Sequence, residues 1–152
     1  MLLTDLLTID RVKVPLQGDT KEDVLRELVS VLANGGAEQQ QAELLRAVRE
    51  REAVLSTGIG NGVAIPHGKS SAIPELRMAA GTAGHPVEFN ALDGQPVQLL
   101  FLLVGPESAA GPHIKALSRI ARLIRNDDVR RALLAARSPE EFLSALRQAE
   151  RQ

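Results

Sequence analysis

The run VQLLFLLV at residues 97–104 is almost continuously apolar, and its single polar residue is Gln98. A strand that lacks alternating polar residues is typical of a strand covered by other elements on both faces. The Asp93-Gly94 pair just before it is a turn signal. We therefore predict that residues 97–104 form the central strand of a sheet.

Apolar residues recur at helical spacing downstream of this strand. The pattern predicts a helix over residues 110–125, a short helix over residues 127–136, and a third helix that begins at Ser138-Pro139. The buried face of the first of these helices is predicted to comprise Ile114, Leu117, Ile120, Ala121 and Ile124.

Upstream, one helix is predicted from Thr20 to the Asn34-Gly35-Gly36 stop, and a second over residues 38–54. Pro15 has no N–H to donate, so residues 11–16 suit an edge strand. The other expected elements are a short opening helix at residues 2–7, a flexible loop at 57–62, a short strand at 62–66 and a strand at 77–84. Helices around a buried strand imply a layered α/β domain, and we expect one domain over residues 1–152.

Composition excludes several classes of function. Lys and Arg number 18 against 19 Asp and Glu, so the net charge is −1 and does not indicate a binder of nucleic acid or anionic membrane. The absence of Cys removes disulfides, thiolate metal sites and Cys nucleophiles. No apolar run reaches the roughly 20 residues that span a bilayer, and the acidic N-terminal segment does not resemble a signal peptide. We expect a cytoplasmic protein without membrane insertion.

His67 is the first candidate for a reacting group, because imidazole titrates near neutral pH. It lies in the segment IPHGK, where Pro66 restricts the backbone before it and Gly68 removes side-chain bulk after it. This setting favours an exposed imidazole that a large group can approach. A tight turn in which His67 merely packs fits the same residues.

The other two histidines lie in different settings. His113 is near the start of the helix that follows the buried strand, where α/β proteins often place binding sites. An ordinary solvent-facing residue in the first turn is the alternative for His113. His85 precedes Pro86 with no comparable context, and we interpret it as structural.

The segment before His67 offers backbone N–H groups and the hydroxyls of Ser56 and Thr57, all of which suit phosphate oxygens. The glycines at residues 58–62 lack the endings of the Walker and Rossmann motifs, so they do not indicate a nucleotide site, and a simple turn explains them equally. The chain has no zinc-ligand spacing and no nucleophile elbow. We expect no metal and no organic cofactor.

Basic residues are concentrated in the last third of the chain: Lys115, Arg119, Arg122, Arg125, Arg130, Arg131 and Arg137. A solvated helix face is the simplest interpretation, and a docking face for an acidic partner is the alternative. Nucleic acid is not expected, because no aromatic residues are interleaved with the basic ones.

Three segments together resemble the enzyme IIA family of the phosphotransferase system, of the fructose/mannitol type. They are REAVLSTGIGNGVAIPHGK at residues 51–69, VEFNALDGQPV at residues 87–97 and GPHIKALS at residues 111–118. Three blocks in order are far more specific than one, and the resemblance covers essentially the whole chain. Within the family, the chain looks closest to the standalone nitrogen-regulatory IIA proteins.

The resemblance implies an α/β fold with a mixed β-sheet sandwiched by helices on both faces. It implies that His67 accepts a phosphoryl group from a phosphohistidine carrier protein, as a transient covalent modification carried on Nε2. Arg51 would be the supporting arginine and His113 the second active-site histidine. The chemistry is consistent, since neutral imidazole is a nucleophile and a guanidinium matches phosphoryl oxygens.

Four further positions are candidates for supporting roles. Asn61 matches a polar position of the family, and Thr57 has a hydroxyl in the loop. Gly68 leaves room beside His67, and Lys69 either adds positive charge or is an ordinary surface lysine.

Three functional hypotheses stay open. The favoured one is a regulatory, nitrogen-type phosphocarrier that signals to a target protein. The second is a sugar-specific enzyme IIA that passes phosphate to a separate IIB for fructose- or mannitol-type uptake. The third, of another class, is a binding module that is not phosphorylated, and the joint presence of Arg51, His67 and His113 argues against it.

Overall fold

The structure, a computed structural model, describes residues 1–151. The strands are β1 (Val12–Leu16), β2 (Gly58–Gly60), β3 (Val63–Ala64), β4 (His67–Lys69), β5 (Arg77–Val87) and β6 (Val97–Gly105). The helices are α1 (Leu3–Leu6), α2 (Lys21–Ala33), α3 (Glu38–Val54), α4 (Ala110–Leu123), α5 (Asp127–Ala135) and α6 (Pro139–Glu150). Short 3₁₀ turns cover Ile9–Arg11 and Glu107–Ala109.

Strand β6 lies inside the sheet, as the apolar run predicts. It pairs antiparallel with β5 on one side and parallel with β3 and β4 on the other. Its side chains alternate between two cores, with Leu100, Leu102 and Val104 in one and Leu99, Phe101 and Leu103 in the other. Helices α2 and α3 cover the first core, while α1, α4, α5 and α6 cover the second. The prediction of a mixed sheet between helical layers is confirmed.

The two sides of the sheet differ in the strands that form them. The strand order is β1-β5-β6-β3-β2, so β1, which contains Pro15, is an edge strand as predicted. On the other side, β3 and β4 pair with β6 in the same register, and Ile65 and Pro66 separate these two short strands. The carbonyl of Pro66 still accepts a hydrogen bond from the N–H of Leu103 at 3.1 Å, which holds the interruption against β6.

The local helix signals are confirmed. Thr20 caps α2 by accepting a hydrogen bond from the N–H of Asp23, and Asn34 ends that helix in the left-handed conformation. Helix α3 has the predicted bounds. Ser138 caps α6 by accepting from the N–H of Glu141, with proline in the first turn.

The expected loop at residues 57–62 is wrong in part. Residues Gly58–Gly60 form β2, which pairs antiparallel with β3, and a tight turn at Asn61 joins the two strands. The expected strand at 62–66 is limited to Val63–Ala64, and β4 beyond it was not predicted. These strands are too short to show a side-chain period, so their pairing defines them: β3 and β4 pair with β6, and β2 pairs with β3.

The predicted buried face of α4 is also wrong in one respect. Ile114 is 65% exposed, whereas His113 is only 5% exposed. The inward positions are His113, Ala116 and Ile120, which keep helical spacing but begin one residue earlier than expected. Helix α4 is therefore rotated so that His113 lies on its inward face and Ile114 on its exposed face.

Glu150 links three helices. Its carboxylate accepts hydrogen bonds from the N–H groups of Leu3 at 2.7 Å and Thr4 at 3.0 Å, and from Nε of Arg119 at 2.7 Å. The two N–H groups belong to the first turn of α1, where no helical carbonyl is available. Burial raises the pKa of Glu150, but Arg119 and the two N–H groups together lower it below its usual value. The contact ties α6 and α1 to α4.

Among the helices of residues 1–151, none has the length and apolar character needed to cross a membrane.

We predict that Glu150→Gln lowers the free energy of unfolding by about 2 kcal/mol at neutral pH, because an amide replaces a buried, paired carboxylate. The folded-state pKa is depressed, so the stabilisation is complete above the ordinary value of 4.5 and is lost as pH falls through the folded pKa. Urea unfolding from about pH 7 to about pH 3 measures the difference. Exposed Glu140→Gln is the control, and a loss in Glu150→Gln that stays constant with pH would contradict the prediction.

Candidate functional site

A cleft of about 470 Å³ opens where α3, β4 and the start of α4 meet. Helix α3 comes from one face of the sheet and α4 from the other, and β4 lies between them on β6. The lining residues are Ala47, Glu50, Arg51, His67, Gly68, Lys69 and His113. The structure thus brings together five of the seven residues predicted for the site.

Gly68 sets the distance between α3 and β4. A Cβ atom on Gly68 would lie 3.1 Å from the carbonyl carbon and oxygen of Ala47 and from the nitrogen of Val48. The missing side chain therefore admits the helix backbone. Arg51 follows Ala47 by four residues and shares its helix face, so this close approach also brings Arg51 to the cleft.

His67 is half-buried at the first position of β4. Its Nδ1 lies 2.9 Å from the carbonyl oxygen of Ile65. A carbonyl oxygen only accepts hydrogen bonds, so Nδ1 must carry the proton and donate it. In the neutral ring, Nε2 is then the nitrogen with the free lone pair.

His113 lies beside His67 in an edge-to-face arrangement. The ring centroids are 5.6 Å apart and the ring planes are inclined by 71°. Burial, with smaller effects from His67 and Lys69, lowers the pKa of His113 to about 4. His113 is therefore neutral near pH 7, with one N–H to donate.

His67 is also held in its neutral form. Burial lowers the pKa of His67, the hydrogen bond to the Ile65 carbonyl partly offsets this, Arg51 lowers the pKa further, and Glu52 opposes Arg51. The net result is a pKa below the usual value. Two neutral imidazoles with cationic neighbours can receive an anionic group without first losing a proton.

Arg51 lies in the last turn of α3 and donates from Nη1 to the carbonyl oxygen of Leu55 at 2.8 Å. This bond uses one edge of the guanidinium, and the remaining donors of the planar fork stay available. Lys69 is exposed and lies 3.4 Å from Glu107, a weak surface pair. The cleft thus has two cationic side chains near His67.

Two predicted supporting residues do not line the cleft. The Thr57 hydroxyl is buried and donates to Glu52 at 2.6 Å, while the Ser56 hydroxyl donates to the Phe89 carbonyl at 2.8 Å. Asn61 is an exposed turn residue whose N–H donates to Asp93 at 3.2 Å. His85 pairs with Asp19 at the surface, which fits its interpretation as structural.

Glu52 was missed by the sequence analysis. It is 8% exposed and occupies the position of the inward stripe of α3 that follows Leu45 and Val48. A charged residue in an apolar stripe was the available signal, because a buried charge needs a partner. Ala47 was also missed, although the i, i+4 relation to Arg51 places it on the same face.

No cluster of three or more His, Cys, Asp or Glu side chains within residues 1–151 is arranged to hold a metal ion.

Comparison with known proteins places this chain in a family. The model of the family described as "Phosphoenolpyruvate-dependent sugar phosphotransferase system, EIIA 2" matches residues 5–149. A nitrogen regulatory protein of Bradyrhizobium diazoefficiens is 36% identical over 146 residues, covering 96% of this chain and 95% of that protein. The solved structure of nitrogen regulatory protein IIA-Ntr from Neisseria meningitidis has a TM-score of 0.87 at 30% identity, over 95% of this chain and 98% of that one.

A longer relative matches equally well. The fructose-specific EIIABC component of Bacillus subtilis is 35% identical over 148 residues. The match covers 97% of this chain but only 23% of that protein. These matches confirm the family and the fold that the sequence resemblance implied.

We predict that Arg51→Gln raises the pKa of His67, because the change removes a positive charge that opposes protonation of the ring. A pH titration followed by NMR of the His67 ring measures the shift. Arg49→Gln is the matched control, since Arg49 lies two residues away on the same helix and pairs with Glu22. Equal shifts in the two variants would mean that Arg51 does not act directly on His67.

Proposed function

This chain belongs to the EIIA 2 family of the phosphoenolpyruvate-dependent sugar phosphotransferase system, and on that premise we propose that it is a phosphocarrier that acts through His67. The donor is a phosphohistidine carrier protein, and a second protein receives the phosphoryl group. The observation that carries this proposal is the hydrogen bond from Nδ1 of His67 to Ile65, which leaves Nε2 as the nucleophilic nitrogen beside Arg51.

The transfer exchanges one P–N bond for another. Nε2 of His67 attacks the phosphorus, the P–N bond of the donor breaks, and its electron pair returns to the donor imidazole. The proton on Nδ1 stays in place and continues to bond the Ile65 carbonyl. Charge stabilisation and positioning are sufficient for such a step, so the proposed transfer requires neither metal nor cofactor.

The neighbouring residues have distinct roles in this proposal. Arg51 directs its free guanidinium donors to the phosphoryl oxygens, and Lys69 adds positive charge at the rim. His113 donates its single N–H to a phosphoryl oxygen, or orients the ring of His67 through the edge-to-face contact. Gly68 acts by admitting α3 to the cleft wall.

A regulatory, nitrogen-type role is the first candidate for the downstream function. The similarity to nitrogen regulatory proteins supports it, both in sequence and in the solved fold. Phosphorylation adds nearly two negative charges at the cleft, enough to reverse a contact with a target protein. We place the protein in the cytoplasm, where such partners and phosphoenolpyruvate are found.

A sugar-specific role is the second candidate, supported by the 35% identity to a fructose-specific EIIABC component. The recipient would then be an enzyme IIB. Mixing the phosphorylated chain with purified fructose-type and mannitol-type enzyme IIB separates the two candidates. Rapid transfer of label to IIB would favour the sugar branch, and slow transfer to both would favour the regulatory one.

We predict that the wild type gains one acid-labile phosphate when incubated with phosphoenolpyruvate, enzyme I and a phosphocarrier protein, and that His67→Ala gains none. Intact-protein mass spectrometry measures the adduct, and NMR of the ring assigns it to Nε2. His85→Ala is the control and keeps full labelling, because His85 is exposed and pairs with Asp19. An unlabelled wild type with a phosphorylated donor present would instead support the non-phosphorylated binding module.

We also predict that Arg51→Ala and His113→Ala each slow phosphoryl transfer at least about tenfold, because each removes a hydrogen-bond donor that stabilises the moving charge. Single-turnover mixing with phosphorylated donor measures the rate, and circular dichroism checks that the fold is retained. A normal rate in either variant would remove that residue from the reaction. Arg49→Ala, on the exposed side of α3, serves as the control.

A further inference from the structure

A continuous series of hydrogen bonds connects His67 to the ion pair of Glu52 and Lys21, which lies outside the cleft lining. We propose that Glu52 is a positioning residue, which acts through Thr57 and Ile65 to hold the His67 ring in its Nδ1–H tautomer with a negative charge behind it. This inference rests on the proposed phosphocarrier function and names the residue that prepares the ring.

Each bond of the series has ordinary geometry. Nδ1 of His67 donates to the Ile65 carbonyl at 2.9 Å, and the N–H of Ile65 donates to the Thr57 carbonyl at 3.0 Å. Thr57 then directs both of its donors to one carboxylate, its N–H to Oε1 of Glu52 at 3.0 Å and its hydroxyl to Oε2 at 2.6 Å. These two hydrogen bonds hold the β2–β3 hairpin in place, and the hairpin in turn positions the Ile65 carbonyl beside His67.

The carboxylate is itself held from the opposite side. Nζ of Lys21 lies 2.8 Å from Oε1 of Glu52, donates to the Phe89 carbonyl at 3.2 Å, and stands 4.8 Å above the Phe89 ring. Glu52 is buried and Lys21 is partly buried, and such an ion pair is a poor source of stability because lost hydration offsets the attraction between the charges. The attraction to Lys21 is therefore a weak reason for a charge at Glu52, and the contacts of its carboxylate with Thr57 point to a positioning role.

Arg51 and Glu52 are neighbours on α3, yet they approach the His67 ring from different sides. Consecutive helical residues point about 100° apart. Arg51 therefore lines the cleft, whereas Glu52 turns toward Thr57. Formation of the P–N bond at Nε2 with Nδ1 still protonated makes the ring cationic, and the carboxylate stabilises that charge while Arg51 binds the phosphoryl oxygens.

The titratable groups around His67 come from four elements. Glu50, Arg51 and Glu52 lie on α3, Lys69 on β4 and neutral His113 on α4, while Lys21 of α2 pairs with Glu52. Glu52 raises the pKa of His67, and Arg51 lowers it. Loss of the Glu52 charge is therefore visible in the unphosphorylated protein as a further fall in the pKa of His67.

The test uses Glu52→Gln in the full chain and long-range ¹H–¹⁵N NMR of the His67 ring without any phosphoryl donor. We expect the two tautomers to mix and the pKa of His67 to fall. With phosphorylated donor at saturation, we expect the transfer rate to drop about tenfold, by analogy with the lower end of the loss caused by removing residues that orient metal-binding histidines. The donor concentration at half-maximal rate should stay unchanged, because Glu52 lies outside the cleft lining.

Glu43→Gln is the matched control, since it removes an acid from the same helix on the exposed side where Glu43 pairs with Arg46. A folded Glu52→Gln protein with the wild-type tautomer and pKa of His67 would overturn the proposal. If the tautomers mix but the wild type accepts no phosphate, the positioning role is supported and the phosphocarrier function fails. The two failures are therefore distinguishable.

A second pair of variants guards against misfolding of Glu52→Gln. Thr57→Val removes the hydroxyl that bonds Glu52, and Thr57→Ser keeps it. We expect Thr57→Val to shift the tautomer equilibrium of His67 and Thr57→Ser to restore it. Identical ring spectra for the two variants would overturn the proposal.

Discussion

Strand β6 is removed from water on both faces, and the arrangement of the other elements follows from that constraint. Because the side chains of β6 alternate between two hydrophobic cores, helices must cover the sheet on both faces. The chain supplies α2 and α3 for one face and α4 to α6, with α1, for the other. The same strand provides the hydrogen bonds that hold β3 and β4 in place, although both are too short to persist alone.

The cleft lies at β4, beyond which no further strand separates the two helical layers in the part of the chain that the structure describes. Arg51 arrives from α3 on one face and His113 from α4 on the other, and they meet at His67. The contact of Gly68 with the backbone of α3 sets how closely these layers approach. Packing of the cores thus determines the geometry of the reacting groups, because the helices that fill the cores also carry those groups.

Electrostatics around His67 combine features that a stability-optimised protein would avoid. The cleft holds two partly desolvated imidazoles near cationic side chains, and the Lys21–Glu52 pair, with its carboxylate buried, lies behind the hairpin. Each feature costs folding free energy. The large apolar cores, and contacts such as the hydrogen bonds of Glu150 with α1 and Arg119, offset that cost. Concentration of unfavourable electrostatics at one end of the sheet is typical of a functional site.

Much of this protein could be predicted from its sequence, because the signals involved act over a few residues. The burial of residues 97–104, the caps of α2 and α6, the edge position of Pro15 and the candidacy of His67 all depend on local patterns. The three blocks indicated the family, and with it Arg51 and His113. Local patterns also misled, since apolar Ile114 was assigned to the core and lies exposed.

Only the tertiary structure decided which way α4 turns His113, that Gly68 admits a helix backbone, and that the Ile65 carbonyl is the partner of Nδ1 of His67. The structure also shows that the Thr57 hydroxyl donates to Glu52 and that Thr57 does not line the cleft. The physical reason is common to all of these features. Helix rotation, close backbone approach and the partners of buried polar groups depend on residues far apart in the chain, which meet only when both cores have formed.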